Sequence, residues 1–248
     1  MRRILLLGGT REARRLGAFL AGVPGISAVM SLAGRTQDPA DQGLPLRIGG
    51  FGGVGGLAEY LRENRIDLLL DATHPFAEQM SRHAAEASKL TGTRLIYLRR
   101  PPWTEQPGEE WIRVPNLEAA VRALPEGARA FAATGRGSLE AFLARRDVYM
   151  ILRVIDPPGA PFPGNGQFEV ARPPFSVAAE RRRLEVLGAT HLVVKNAGGD
   201  PARTKLTAAA ALGLPIVIVA RNPLPAGVPV LTSVEETLGH LRSGSELA

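Results

Sequence analysis

Residues 2–12 read RRILLLGGTRE. The apolar run at 4–7 has no polar break and stops at two glycines, a threonine and a charged pair. An apolar run this short, bounded by glycine, reads as a strand buried on both faces, and such strands belong to parallel sheets covered by helices. The residues after the turn repeat their apolar positions at helical spacing over 11–21. The unit is therefore strand, tight turn, helix, and it recurs down the chain. Further strands are expected over 26–32, 44–48, 66–70, 94–98, 128–133, 148–154, 191–194 and 215–220. Helices are expected over 57–64, 77–90, 117–124, 139–145, 177–187, 204–212 and 234–241. This alternation predicts an α/β fold of two doubly wound, Rossmann- or flavodoxin-like parallel-sheet domains with an interdomain cleft. The Pro-rich segment RRPPWTEQPGEEW at 99–111 interrupts the pattern. It divides the chain into an N-terminal nucleotide-binding domain, 1–100, a connection, 101–116, and a C-terminal α/β domain, 117–248. The segment DPPGAPFPGNG at 156–166 reads as a loop, and the two halves share no clear sequence repeat.

Composition narrows the function classes. The 248 residues are 45% apolar and 22% charged, an ordinary globular profile. No apolar run reaches membrane-spanning length, and the run at 4–7 is too short for a signal core. There is no cysteine, which excludes a disulfide scaffold, a thiolate nucleophile, thiolate zinc sites and iron–sulfur clusters. The expected location is cytoplasmic, and any redox chemistry must come from a cofactor. The formal net charge is +6, carried almost wholly by arginine, since Lys89, Lys195 and Lys205 are the only lysines. Basic chains raise nucleic acid as a partner. Here the arginines are dispersed and aromatics are 5%, which gives no base-stacking platform. A small polyanion fits the charge better, and neither nucleic acid nor membrane is expected as a partner.

In an open parallel sheet, ligands bind outside the carboxyl ends of the strands. Nearly every glycine-rich or polar cluster falls there. Gly8, Gly9, Thr10 and Arg11 can bring backbone N–H groups and a helix N-terminus to a phosphate, although GGTRE is not the GxGxxG fingerprint. The same residues also read as a tight turn capped by Thr10. The second strand ends at Gly34 and Arg35 with no acidic residue, which favours a 2′-phosphate, hence NADP, over NAD. Arg35 equally reads as a solvated loop arginine. In DATHPF, Asp71 and Thr73 end a buried strand, and the following proline holds His74 extended. A histidine there can orient a carboxylate or pass a proton, and Asp71 and His74 also read as caps of the next helix. His83, His191 and His240 read as structural. In the second half, TGRGS offers Arg136, Gly137 and Ser138 before a helix. KNAGGDPARTK offers Lys195, Asn196, Thr204 and Lys205, compact cations and hydrogen-bonding groups suited to carboxylate or phosphate. No cluster has metal-ligand spacing.

Together these motifs resemble the precorrin-6A reductase family of cobalamin biosynthesis, which includes the cobalt-precorrin-6A reductases. The matching pieces are ILLLGGTREA, SLAGRT, GGFGG, DATHPFA, RPPW, TGRGS, KNAGG with the later TK, and PIVIVAR, in order along nearly the whole chain. RPPF at 172–175 departs from the glycine-containing form of that loop and leaves its role open. The resemblance implies NADPH-dependent reduction of one double bond of the precorrin-6A macrocycle, giving precorrin-6B. It implies a cofactor site at Gly8, Gly9, Thr10, Arg11, Gly34, Arg35, Asp71 and Thr73. It also implies a polycarboxylate tetrapyrrole met by His74, Arg136, Gly137, Ser138, Lys195, Asn196, Thr204 and Lys205, and passing contact with neighbouring pathway enzymes. Other readings remain: a cobalt-precorrin-6A reductase using NADH, a non-catalytic two-domain anion- or nucleotide-binding module, and a methyltransferase of the same pathway. A short-chain reductase is disfavoured because Tyr60, Tyr97 and Tyr149 each lack a lysine four residues on.

Overall fold

Both faces of the first strand are covered in the computed structural model, which describes residues 1–34 and 43–243. The chain opens with β1 (Arg2–Leu7), α1 (Arg11–Ala21), β2 (Ile26–Leu32), β3 (Leu46–Ile48), α2 (Val54–Glu63), β4 (Leu68–Asp71), α3 (Glu78–Thr91) and β5 (Arg94–Leu98). Ile4 and Leu6 point to one side of the sheet and join the α1 residues Leu16 and Leu20. Leu5 and Leu7 point to the other and join Leu57 and Leu61 of α2 and Ala84 of α3. That two-residue alternation, with helices on both sides, is why the run carries no polar residue.

The chain continues with β6 (Trp111–Val114), α4 (Leu117–Arg122), β7 (Arg129–Ala133), a 3-10 turn (Arg136–Ser138), α5 (Leu139–Leu143), β8 (Tyr149–Val154) and β9 (Gly166–Val170). Then come α6 (Val177–Val186), β10 (His191–Lys195), a 3-10 turn (Asp200–Ala202), α7 (Thr204–Ala211) and β11 (Ile216–Val219). It closes with β12 (Val230–Leu231) and α8 (Val234–Ser243). All strand pairs are parallel, in two six-stranded sheets of order β12-β5-β4-β1-β2-β3 and β6-β11-β10-β7-β8-β9. The α/β class and the two parallel sheets match the expectation from sequence.

Counted from β1, the first sheet has strand order 3-2-1-4-5 with β12 in sixth place. Counted from β7, the second has the same order with β6 in sixth place. The sixth strands are exchanged: β6 follows β5 in the chain but pairs with β11, and β12 follows β11 but pairs with β5. One unit accordingly holds Met1–Pro101 and the chain from Pro223 on, and the other holds Pro102–Asn222. The sequence reading assigned everything after residue 116 to the second half. The difference comes from β12 and α8, whose Leu231, Val234 and Leu241 bury against the first sheet. It comes also from β6, a strand within the expected connection. β6 and β12 are short and flanked by proline-rich chain, and β9 follows a Pro/Gly-rich stretch, so none carries a periodic signal.

Leu241 is fully buried with Ile4, Leu6 and Leu16. Leu241→Ala is expected to destabilise the first unit by about 2–5 kcal/mol. Native-state hydrogen exchange should then show β1 and β4 amides losing protection while β7 and β10 keep theirs. Loss confined to the second unit would refute this placement of the last helix.

Candidate functional site

In strand order 3-2-1-4-5, the chain leaves β1 and β4 in opposite directions, and the crevice at their carboxyl ends is where ligands bind. The first unit places Gly8 to Thr10 on one side of it and Asp71 to His74 on the other. A Cβ at Gly8 would lie 2.7 Å from Met30 Sδ, so any larger residue there would have to displace the buried Met30 side chain. Gly9 has φ +103° and nothing within 4 Å of a built Cβ, so the backbone there is open to approach. Thr10 caps α1: its Oγ1 accepts from Ala13 N–H at 3.1 Å and donates to the Ala72 carbonyl at 2.8 Å. That one hydroxyl ties the two turns together.

Asp71 is fully buried, and its carboxylate is taken up inside the protein. Oδ1 accepts from Thr73 N–H (3.0 Å) and Thr73 Oγ1 (2.6 Å), and Oδ2 accepts from Ser81 Oγ (2.7 Å) and Arg99 Nη2 (2.7 Å). Arg99, itself buried, also donates to the carbonyls of Asp71 (2.9 Å) and Thr73 (3.1 Å) and to Ser81 Oγ (2.7 Å). Asp71 therefore fixes the turn and does not reach a ligand with its carboxylate. Beneath it, Tyr97 Oη donates to the Ser81 carbonyl at 3.2 Å. Burial, and then the nearby Asp71 charge, push the Tyr97 phenol up to about 12.

Thr10, Glu12, Thr73, Pro75, Leu98, Arg99 and Arg100 line one depression at these strand ends. Arg100 Nη1 pairs with Glu12 at 2.7 Å and offsets the one acidic group in the first turn of α1. Two expected cofactor residues, Thr10 and Thr73, thus meet in one place. Arg99 and Arg100 were missed because RRPP read as a connection. The strand-end rule, applied to β5, would have found them. Gly34 lies beyond the end of β2, and Arg35 falls outside the described residues. His74 is exposed, and its Nδ1 accepts from Phe76 N–H at 3.2 Å, so the neutral ring carries its proton on Nε2.

The second unit repeats the arrangement at the ends of β7 and β10. Arg136 and Gly137 are exposed. Ser138 is buried, its hydroxyl shared with Thr134 Oγ1 (2.6 Å) and the Gly135 carbonyl (2.6 Å), so it braces the turn. Asn196 is likewise occupied: its amide accepts from Trp103 N–H (2.8 Å) and donates to the Trp103 carbonyl (3.1 Å). Lys195 and Thr204 are partly exposed, and Lys205 Nζ donates to the Ala202 carbonyl and lies 5.6 Å from the Trp103 ring centre. The 172–175 loop has a structural role here. Phe175 covers one side of the buried Arg153 guanidinium (4.5 Å), Phe131 packs against it too (4.6 Å), and Arg153 forks onto Glu180 at 2.8 Å on both arms. His191 opens β10, away from the ligand-binding ends, and burial lowers its pKa. Among the described residues, no group of three or more His, Asp or Glu could hold a metal, and no helix is long and apolar enough to cross a membrane.

Two reversed-order sheets with glycine turns at their switch points fit many nucleotide-dependent proteins. The comparison with known proteins narrows them to one. The model of "Precorrin-6x reductase CbiJ/CobK" matches residues 3–242. The chain belongs to this family. It is 45% identical to a precorrin-6A reductase from Rhodococcus erythropolis, over 96% of each chain. It is 46% identical to one from Rhodobacter capsulatus, over 97% of this chain and 96% of that one. A solved CobK precorrin-6A reductase superposes with TM-score 0.92 at 46% identity, covering 98% of this chain and 97% of the other. Family membership and the shared fold agree with the resemblance drawn from the motifs.

Asp71→Ala should cost about 3–5 kcal/mol, because it strands a buried guanidinium. Adding Arg99→Met should recover part of that, which a double-mutant cycle by urea unfolding would read. Tyr97 titrates higher folded than unfolded, so its contribution is whole below about pH 10 and is lost as pH rises toward about 12. Tyr97→Phe should therefore lose stability less steeply than wild type across that alkaline window.

Proposed function

We propose that this precorrin-6A reductase of cobalamin biosynthesis uses NADPH to reduce one double bond of the precorrin-6A macrocycle, giving precorrin-6B. The observation that carries the reading is the switch point of the first sheet. An open glycine turn, the N-terminus of an eleven-residue helix and a lined depression coincide there, in a chain of this reductase family. These features fit a dinucleotide. Gly9 leaves room for a pyrophosphate against the backbone, and the first-turn N–H groups of α1 favour its charge. Gly8, Gly9, Thr10 and Arg11 would hold the phosphates, with Thr73 beside them and Asp71 acting through the turn it braces. When bound, the nicotinamide supplies the hydride, chemistry that this cysteine-free chain has no side chain to provide.

Every other part belongs to the protein. Arg136, Lys195, Thr204 and Lys205, with the backbone around Gly137, would meet the acetate and propionate groups of the tetrapyrrole, because charge-assisted bonds to carboxylates are the strong ones. Ser138 and Asn196 would contribute by holding those turns in shape. His74, with its proton on Nε2, would orient a substrate carboxylate. Reduction of the conjugated system takes one hydride and one proton. The macrocycle nitrogens can carry the charge between those events, so orientation is the larger task. The expected location is the cytoplasm.

The test is a fluorescence or calorimetric titration with NADPH and NADH at fixed salt, followed by assay with precorrin-6A. Micromolar NADPH binding and a dihydro product support the reading. No binding of either nucleotide, with or without a tetrapyrrole analogue, counts against hydride transfer and favours an anion-binding module. His74→Ala should lower kcat by about 10²-fold or less, the size expected for orientation. A loss near 10⁴-fold would assign it proton transfer, and full activity would remove it from the site.

A further inference from the structure

In strand order 3-2-1-4-5, the adenosine half of a dinucleotide lies toward the ends of β2 and β3. Among the described residues, one guanidinium stands there. Arg47, in the three-residue strand β3, reaches past the strand end. Its Nη1 donates to the Gly49 carbonyl (2.6 Å) and, at 3.5 Å, to Ser31 Oγ, and its Nη2 donates to the Gly50 carbonyl (2.8 Å). Its Cζ stacks 3.7 Å from the centre of the Phe51 ring, with Tyr60 at 5.3 Å. Every one of these acceptors is neutral. Among the described residues, no carboxylate pairs with Arg47, and its Nε–H and one Nη2–H have no acceptor. Arg99, Arg100, Arg153 and Arg203 each have a carboxylate at 2.7–2.8 Å. A half-buried cation held by an aromatic ring and two carbonyls, with no carboxylate partner among the described residues, suits an anionic ligand group.

We infer that Arg47 reads the 2′-phosphate of the dinucleotide and so sets the preference for NADPH over NADH. The inference rests on the nucleotide reading proposed above and names the group that selects between the two donors. The two remaining donors can fork onto two oxygens of a phosphate monoester. NADH offers a 2′-hydroxyl there, which leaves the cation unmatched. Phe51 and the Gly49 and Gly50 carbonyls hold the guanidinium in place, so little side-chain freedom is lost on binding.

The experiment measures Kd for NADPH and for NADH in wild type, Arg47→Gln and Arg47→Lys, at fixed ionic strength. A charge-assisted pair predicts that wild type binds NADPH tighter than NADH by about 10- to 100-fold. Arg47→Gln should bring that ratio close to one while NADH affinity moves less than about threefold. Arg47→Lys keeps the charge without the fork and should fall between. The ratio is read within one sample, so a partly unfolded variant does not distort it. A 2′-phosphate dianion takes up one proton near pH 6 to become the monoanion, so the wild-type preference should shrink below about that pH and Arg47→Gln should lack the trend. Equal weakening of both nucleotides by Arg47→Gln would overturn the inference and leave Arg47 as a brace for the glycine loop. Equal wild-type affinity for NADPH and NADH would overturn it while sparing the nucleotide reading. Binding of neither would bring down both.

Discussion

A carboxylate and a guanidinium taken out of water have to satisfy each other completely, and Asp71 and Arg99 do so where β4 and β5 end. The desolvation of each charge is worth several kcal/mol, so the pair tolerates little displacement. Its reach is wide. Arg99 bonds the carbonyls of Asp71 and Thr73, and Asp71 bonds the Thr73 N–H and hydroxyl and Ser81 in the first turns of α3. The end of β4, the exit of β5 and the start of α3 are therefore one rigid piece. Thr10 joins it to the β1 turn through the Ala72 carbonyl. An apolar pair of the same volume could be as stable, but it would not specify the conformation of residues 71–74. The ion pair trades no obvious stability for a fixed floor beneath the strand ends.

A second constraint is the exchange of sixth strands. The first sheet is closed by β12, which the chain reaches only after the whole second sheet, and the second by β6, which the chain makes before the rest of that sheet. The edge of β5 stays uncovered until β12 and α8 have been made, after the whole of the second unit. Unpaired β5 and the apolar face that takes Leu231, Val234 and Leu241 are then exposed during synthesis. The second unit also waits for β11 before β6 can pair. These long-range closures slow folding relative to two consecutive domains. They also make the first unit depend on chain from both sides of the second, so a cut near residue 100 or 222 would part β12 and α8 from the sheet they close, whereas 102–222 is one continuous stretch.

The fold class was legible because two-sided burial leaves a mark in composition: 4–7, 68–70, 192–194 and 216–219 are apolar without interruption. The strand ends were legible for the same reason, since polar and glycine residues begin where burial stops. β6 and β12 were not, because a strand of four or two residues beside proline has no period to read. The membership of α8 was not, because an amphipathic helix states that one face is buried but not against which sheet. At the candidate site, position alone singled out Thr10 and Thr73, which line one depression. The internal duty of Ser138 and Asn196 was invisible, because a hydroxyl or an amide in a turn looks the same whether it faces a ligand or a neighbouring backbone group. Arg47 was hidden by the number of arginines in the chain, and Arg99 by its place in a segment that read as a connection.

That number misleads in another way. A net charge of +6 suggests a broad basic surface waiting for an anion. Much of the positive charge is already used. Arg99, Arg100, Arg153 and Arg203 are matched to carboxylates with little exposure, and Arg145 binds Asp147 and the carbonyls closing α4. Exposed pairs such as Arg15 with Glu235 and Arg181 with Glu185 contribute little to either stability or field. What distinguishes a binding cation in such a chain is its local balance: position at a carboxyl strand end, a rigid hold by neutral groups, and no carboxylate to cancel it. By that measure Arg47 stands apart from its neighbours in the first unit.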